Sequence, residues 1–138
     1  MAESVLSRPT DPPSVTGQPR VWLRAEGVVT AVVGIAAWGA LNGGNVLWLI
    51  LGVLAVDISM VGYLAGPRLG ALTYNVAHNW ATALVVLLAG FVSTTPPLEL
   101  LGVVLVVHVG VDRALGYGLK YPTSFQDTHL GRIGRNRR

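Results

Sequence analysis

Residues 46–65 read VLWLILGVLAVDISMVGYLA. The run is apolar apart from one carboxylate, Asp57, and one hydroxyl close by, Ser59, and it stops at a Gly66-Pro67 turn. At 1.5 Å rise per residue, about 20 such residues form a helix that crosses a hydrocarbon core of about 30 Å. Three further stretches have the same character: about Trp22 to Leu41, about Leu69 to Val92 and about Leu98 to Leu119. The connections are short. Asn42-Gly43-Gly44-Asn45 is a turn, Gly66-Pro67 is a tight turn with proline at a helix start, and Ser93 to Pro97 is a short loop. Short connections make sequential helices antiparallel neighbours. The reading is an all-α integral membrane protein, an up-down four-helix bundle.

Composition agrees. Of 138 residues, 51 % are hydrophobic and only 12 % charged, about half the charge of a soluble domain. Mean hydropathy is +0.54. No stretch has the wide polar face of a helix in water, which argues against a soluble bundle. Residues 1 to about 20 form a Pro-rich polar leader, expected to be a disordered tail rather than a secretory signal. Residues 21–120 form the membrane domain, and residues 121–138 a basic tail. The absence of cysteine excludes disulfides, thiolate metal sites and cysteine nucleophiles.

The charge is net +3, from ten Lys/Arg against seven Asp/Glu. The first and third connections carry no Lys or Arg. Arg8, Arg20, Arg24, Arg68, Arg113, Lys120, Arg132, Arg135, Arg137 and Arg138 all fall on one side. The positive-inside rule then places both termini in the cytoplasm of a multi-pass plasma-membrane protein. The basic tail could attract anionic lipid headgroups. Nucleic-acid binding needs a basic stripe with base-reading chemistry, for which the Arg-Asn-Arg-Arg end alone is weak support.

Ionisable groups inside a bilayer are costly and ask for partners. Here they are Asp57, His78, His108 and Asp112, with Asn75, Asn79 and Thr82 on the third stretch and Glu26 nearer the inner surface. Counted from the inner ends, Asp57, His78 and His108 all lie roughly 14–18 Å deep. The polar groups therefore gather in the cytoplasmic half. Three readings stay open: interhelical hydrogen bonding, a polar pocket open to the cytoplasm, and a metal site. For the last, Asp57, His78, His108 and Asp112 are the candidate ligands, since imidazole and carboxylate suit zinc, iron or manganese. In an enzyme, His78, His108 and Asp112 would be catalytic, with Glu26, Asn75, Tyr117 and Lys120 binding substrate. A small hydrolase acting on a membrane-soluble substrate is the concrete form. The alternative is a non-catalytic accessory subunit or a small transporter unit that forms homo-oligomers. The outer half lacks polar steps, which disfavours a through-channel. The segment Phe125 to Leu130 reads first as an interfacial segment docking Phe125 and Leu130 at the membrane surface, and second as a lid of Asp127 and His129.

Several strings resemble one family. They are Arg24-Ala-Glu-Gly, Asp57-Ile-Ser-Met-Val-Gly-Tyr, Gly66-Pro-Arg-Leu-Gly-Ala, Tyr74-Asn-Val-Ala-His, His108-Val-Gly-Val-Asp-Arg-Ala-Leu-Gly-Tyr-Gly-Leu-Lys-Tyr and Phe125-Gln-Asp-Thr-His-Leu-Gly. The family is domain of unknown function 4260 (DUF4260), small prokaryotic integral membrane proteins, and the resemblance covers about Leu23 to Gly134. It implies the membrane fold and no activity. Its motif positions coincide here with Glu26, Asp57, Asn75, His78, His108, Asp112, Lys120 and His129.

Overall fold

The structure is a computed structural model that describes residues 12–134. The leader up to residue 11 and the arginines 135, 137 and 138 lie outside the described residues. The described residues are helical, with one isolated bridge between Lys120 and Thr128. The order is α1 (Gly17–Asn42), α2 (Val46–Val56), a 3-10 segment (Asp57–Ala65), α3 (Pro67–Ala77), α4 (Trp80–Ser93) and α5 (Pro96–Leu115).

Two segments, Gly17–Asn42 and Val46–Ala65, are long and apolar enough to cross a membrane. A third is added if α3 and α4, bent by 43° at their junction, count as one span. α5 is 20 residues long but carries Glu99, Asp112 and Arg113, so length and composition alone do not class it as a span. It is instead the most enclosed helix, with Val103, Val104, Leu105, Val107, His108 and Val109 all buried. α1, α2 and α4 pack around it. Their outer faces keep large apolar side chains exposed, among them Val29, Val33, Leu47, Leu54, Val85 and Leu88. In water such a surface would drive association; it is compatible with a lipid environment.

Glycine sets the closest approach. A Cβ on Gly27 of α1 would lie 2.6 Å from the Ala114 nitrogen, and one on Gly110 of α5 would lie 2.7 Å from the Ala31 nitrogen. The two backbones therefore touch, as small residues permit in membrane bundles.

The structure departs from the sequence reading in three places. The stretch expected from Leu69 to Val92 is two helices broken at His78 and Asn79. The stretch expected to run from Leu98 to Leu119 starts at Pro96 and ends at Leu115, where Gly116 takes a left-handed conformation with φ 91°. The segment after it, expected to dock Phe125 and Leu130 at the membrane surface, packs its Leu130 inside the fold instead. Residues 116–134 fold back as a strap. Leu130 is fully buried and Asp127 is 5 % exposed, which overturns the expectation that Leu130 docks on the membrane. Internal hydrogen bonds hold the strap: His129 N–H to Leu119 O at 3.0 Å, Tyr121 N–H to Asp127 O at 2.9 Å, and Arg132 to Asp127 at 2.8 Å. It also meets the start of the described chain, through Val15 N–H to His129 O at 2.8 Å and Tyr121 OH to Pro13 O at 2.7 Å.

Candidate metal centre

Two interruptions of helical geometry build the site. At Asp57, α2 tightens into the 3-10 segment. The Asp57 N–H turns to Leu54 O, so Val53 O loses its usual donor four residues on. His108 Nδ1 takes that place, 2.7 Å from Val53 O. The change of pitch thus anchors a histidine from α5.

The second interruption lies between α3 and α4. A broken helix within an apolar layer must satisfy its freed backbone groups internally. Asn79 caps α4, its side chain accepting from Thr82 N–H at 2.9 Å. Its amide nitrogen donates to Asn75 O at 2.7 Å and to Val76 O at 2.9 Å. Arg113 Nη2 donates to His78 O at 2.9 Å, and its Nη1 to Tyr117 O at 2.7 Å. The polar residues Asn79 and Thr82, which the sequence places among the polar groups of the third stretch, therefore hold the break. Arg113, read as a topology charge, is buried and spent on two carbonyls.

The break turns His78 inward, where it is fully buried. Its Nδ1 lies 2.9 Å from Tyr74 O. A carbonyl only accepts, so in both histidines Nδ1 carries a proton and Nε2 is turned to the other side of the ring. Both Nε2 atoms face the same two carboxylates. His78 Nε2 is 3.3 Å from Asp57 Oδ1 and 3.9 Å from Asp112 Oδ2. His108 Nε2 is 3.5 Å from Asp57 Oδ1 and 3.6 Å from Asp112 Oδ2. His108 Nε2 is buried with no hydrogen-bond partner. One donor reaches the cluster from Tyr74, whose hydroxyl bonds Asp112 Oδ2 at 2.9 Å. Its ring stacks on His78, with centroids 3.7 Å apart.

With both imidazoles neutral, the two Nε2 atoms and the carboxylate oxygens are converging acceptors, a set that could hold a cation. Ligand atoms 2.0–2.1 Å from one ion at the tetrahedral angle lie about 3.3–3.4 Å apart. Three of the four separations between imidazole and carboxylate run close to that edge length, and the fourth, His78 Nε2 to Asp112 Oδ2 at 3.9 Å, is longer. One potential ligand atom each from Asp57, His78 and His108 lies within 4.8 Å of the others. The Nδ1 bonds to Tyr74 O and Val53 O are of the kind that would orient the histidines if a metal were bound.

Beside the cluster lies a cavity of about 210 Å³, lined by Asp57, Met60, Tyr74, Asp112, Tyr117, Lys120, Phe125 and Ile133. The strap supplies one wall. Lys120 is 5 % exposed and sits at its bridge. Burial pushes its ammonium down to about 8, with Asp112 and Asp57 opposing the shift. Its Nζ donates to Phe125 O at 2.6 Å and lies 3.8 Å from the Phe125 ring centroid and 5.0 Å from that of Tyr74.

Of the sequence candidates, Asp57, His78, His108 and Asp112 come together, and Tyr117 and Lys120 line the cavity. Asn75 acts on Lys120 instead of facing the cavity. Its amide donates to Lys120 O at 2.9 Å and accepts from Lys120 N–H at 2.7 Å. Glu26 is exposed on α1 and is not among the lining residues. Tyr74, Met60, Phe125 and Ile133 were not singled out as site residues. Tyr74 had a signal: it is one helical turn before His78.

A broken, apolar helical scaffold around a His/Asp cluster with two buried histidines defines the class, a helical protein with membrane-compatible spans and a candidate metal centre. Residues 20–133 match the family model described as a domain of unknown function, DUF4260, and the chain belongs to that family. No curated protein and no solved structure matches it.

Proposed function

We propose that the protein crosses the plasma membrane four times as an up-down bundle with both termini cytoplasmic. The crossings are α1, α2 with the 3-10 segment, α3 with α4, and α5. An even number is supported by the hydrogen bonds that tie the strap after α5 to Pro13 and Val15 before α1. The cytoplasmic side is supported by exposed Arg24 and Arg68 at that end.

Within this frame, Asp57, His78 and His108 hold one divalent ion of zinc, iron or manganese, with Asp112 ligating or orienting beside them. The reaction class is hydrolysis of a membrane-soluble substrate. The observation that carries the reading is the pair of Nε2 atoms turned toward two carboxylates, each ring fixed by a carbonyl on Nδ1. A bound ion of this kind makes a coordinated water acidic near neutral pH. The protein's part is to orient the imidazoles, keep Asp112 placed through Tyr74, and present the open side to the cavity.

The test is metal analysis of the full chain purified in detergent. About one ion per chain is expected, lost in the double variant His78→Ala, His108→Ala. No stoichiometric metal after reconstitution with zinc, iron and manganese would leave protons as the occupants and overturn the metal reading.

A further inference from the structure

Lys120 is a buried cation with no carboxylate within ion-pair distance among the described residues. It is also fixed in place. Asn75 grips its backbone from both sides, and its Nζ is held by Phe125 O between two rings. Such fixing leaves little ordering to be done when a ligand arrives. Across the cavity lie Asp57 and Asp112.

The charges decide what fits. With a divalent ion in the cluster, the two carboxylates are neutralised and Lys120 leaves one positive charge facing the cavity. A cation would be repelled. A neutral molecule would leave the ammonium without a counter-charge, which burial makes costly. An anion completes the balance. Two walls matter: Lys120 near the head position, and Met60, Phe125 and Ile133 as an apolar surface. A volume of about 210 Å³ is the share of about seven waters, enough for a small head and a short apolar part.

We infer that the cavity binds a small amphiphilic oxyanion, its head between the His/Asp cluster and Lys120 and its apolar part against Met60, Phe125 and Ile133. This rests on the metal reading above. The oxyanion could come from a free cytoplasmic acid or from a membrane amphiphile, and the probes separate the two.

The experiment is calorimetry on the zinc-loaded full chain in a non-ionic detergent, with zinc content measured on the same sample. The probes are hexanoate, hexanol, acetate and inorganic phosphate. Hexanoate is expected to bind at least tenfold tighter than hexanol, which lacks the charge. It should also bind at least tenfold tighter than acetate and phosphate, which lack the apolar part; this ordering points to a membrane amphiphile. If acetate or phosphate matches hexanoate, the apolar half of the inference falls and a free anion is the ligand. Lys120→Met should keep its zinc and bind hexanoate no better than hexanol. Zinc bound with hexanoate and hexanol equal in the unaltered protein would overturn the inference and leave the metal reading standing. Failure to bind zinc would overturn both.

Discussion

Tyr74→Phe removes one oxygen and little else. The hydroxyl makes a single hydrogen bond, to Asp112 Oδ2 at 2.9 Å, while the ring keeps its stack on His78 and its place beneath Lys120. The fold should therefore persist, and circular dichroism should not change. Asp112 alone loses its orienting donor. Removing an outer hydrogen bond of this kind weakens a metal site by about 10–100-fold, or about 1.4–2.7 kcal/mol. The assay is competition for zinc against a chromophoric chelator, with the unaltered chain and the variant in the same detergent. Asp57 serves as an internal comparison. Its carboxylate is 40 % exposed and receives no such bond from Tyr74, so Asp57→Asn should cost more than Tyr74→Phe by deleting ligand charge. Affinity unchanged within twofold for Tyr74→Phe would show that Asp112 needs no orientation, and the assignment of Asp112 as a ligand would fail.

Other consequences concern the scaffold. Asn79→Ala removes a helix cap and the donor to Asn75 O and Val76 O; a stability loss of about 1 kcal/mol or more is expected, read as a lower thermal midpoint in detergent. Gly27→Ala should destabilise by about 1–3 kcal/mol through overpacking, because its Cβ would sit 2.6 Å from Arg113 Cβ. Gly39→Ala, with nothing within 4 Å, should instead stabilise α1 by about 0.4–1 kcal/mol; equal effects at the two glycines would contradict the α1–α5 contact. His129 responds to pH. Its Nδ1 accepts from Leu119 N–H at 2.8 Å, and burial together with Arg113 holds its pKa below the ordinary imidazole value. The unfolded strap then binds more protons than the folded one, so stability is full above about pH 6.5 and falls as pH drops toward the lowered folded value. The protection factor of the Leu119 N–H against hydrogen exchange should fall on acidification, and His129→Gln should flatten that response.

Much of this protein is readable from the chain alone because hydropathy is local. Each residue of VLWLILGVLAV at 46–56 contributes its transfer energy whatever its neighbours in space, so the helical, membrane-compatible class follows from composition and run length. The cost of burying charge is local too, and it singled out Asp57, His78, His108 and Asp112. The tertiary structure decided what those residues do. The break at His78 needs Arg113 from α5 to take its carbonyl, and His108 needs the carbonyl of Val53. Nothing near His78 or His108 in the sequence marks these partners. Lys120 and Arg113 looked alike as positive charges beyond or near a helix end, yet one faces the cavity and the other holds the backbone. The strap shows the same division: Phe125 and Leu130 are both apolar, but only contact with the rest of the fold makes one a cavity wall and the other core. Burial cost is a property of a residue and is written in the sequence. Hydrogen-bond partnership is a property of pairs far apart in the chain, and packing alone selects them.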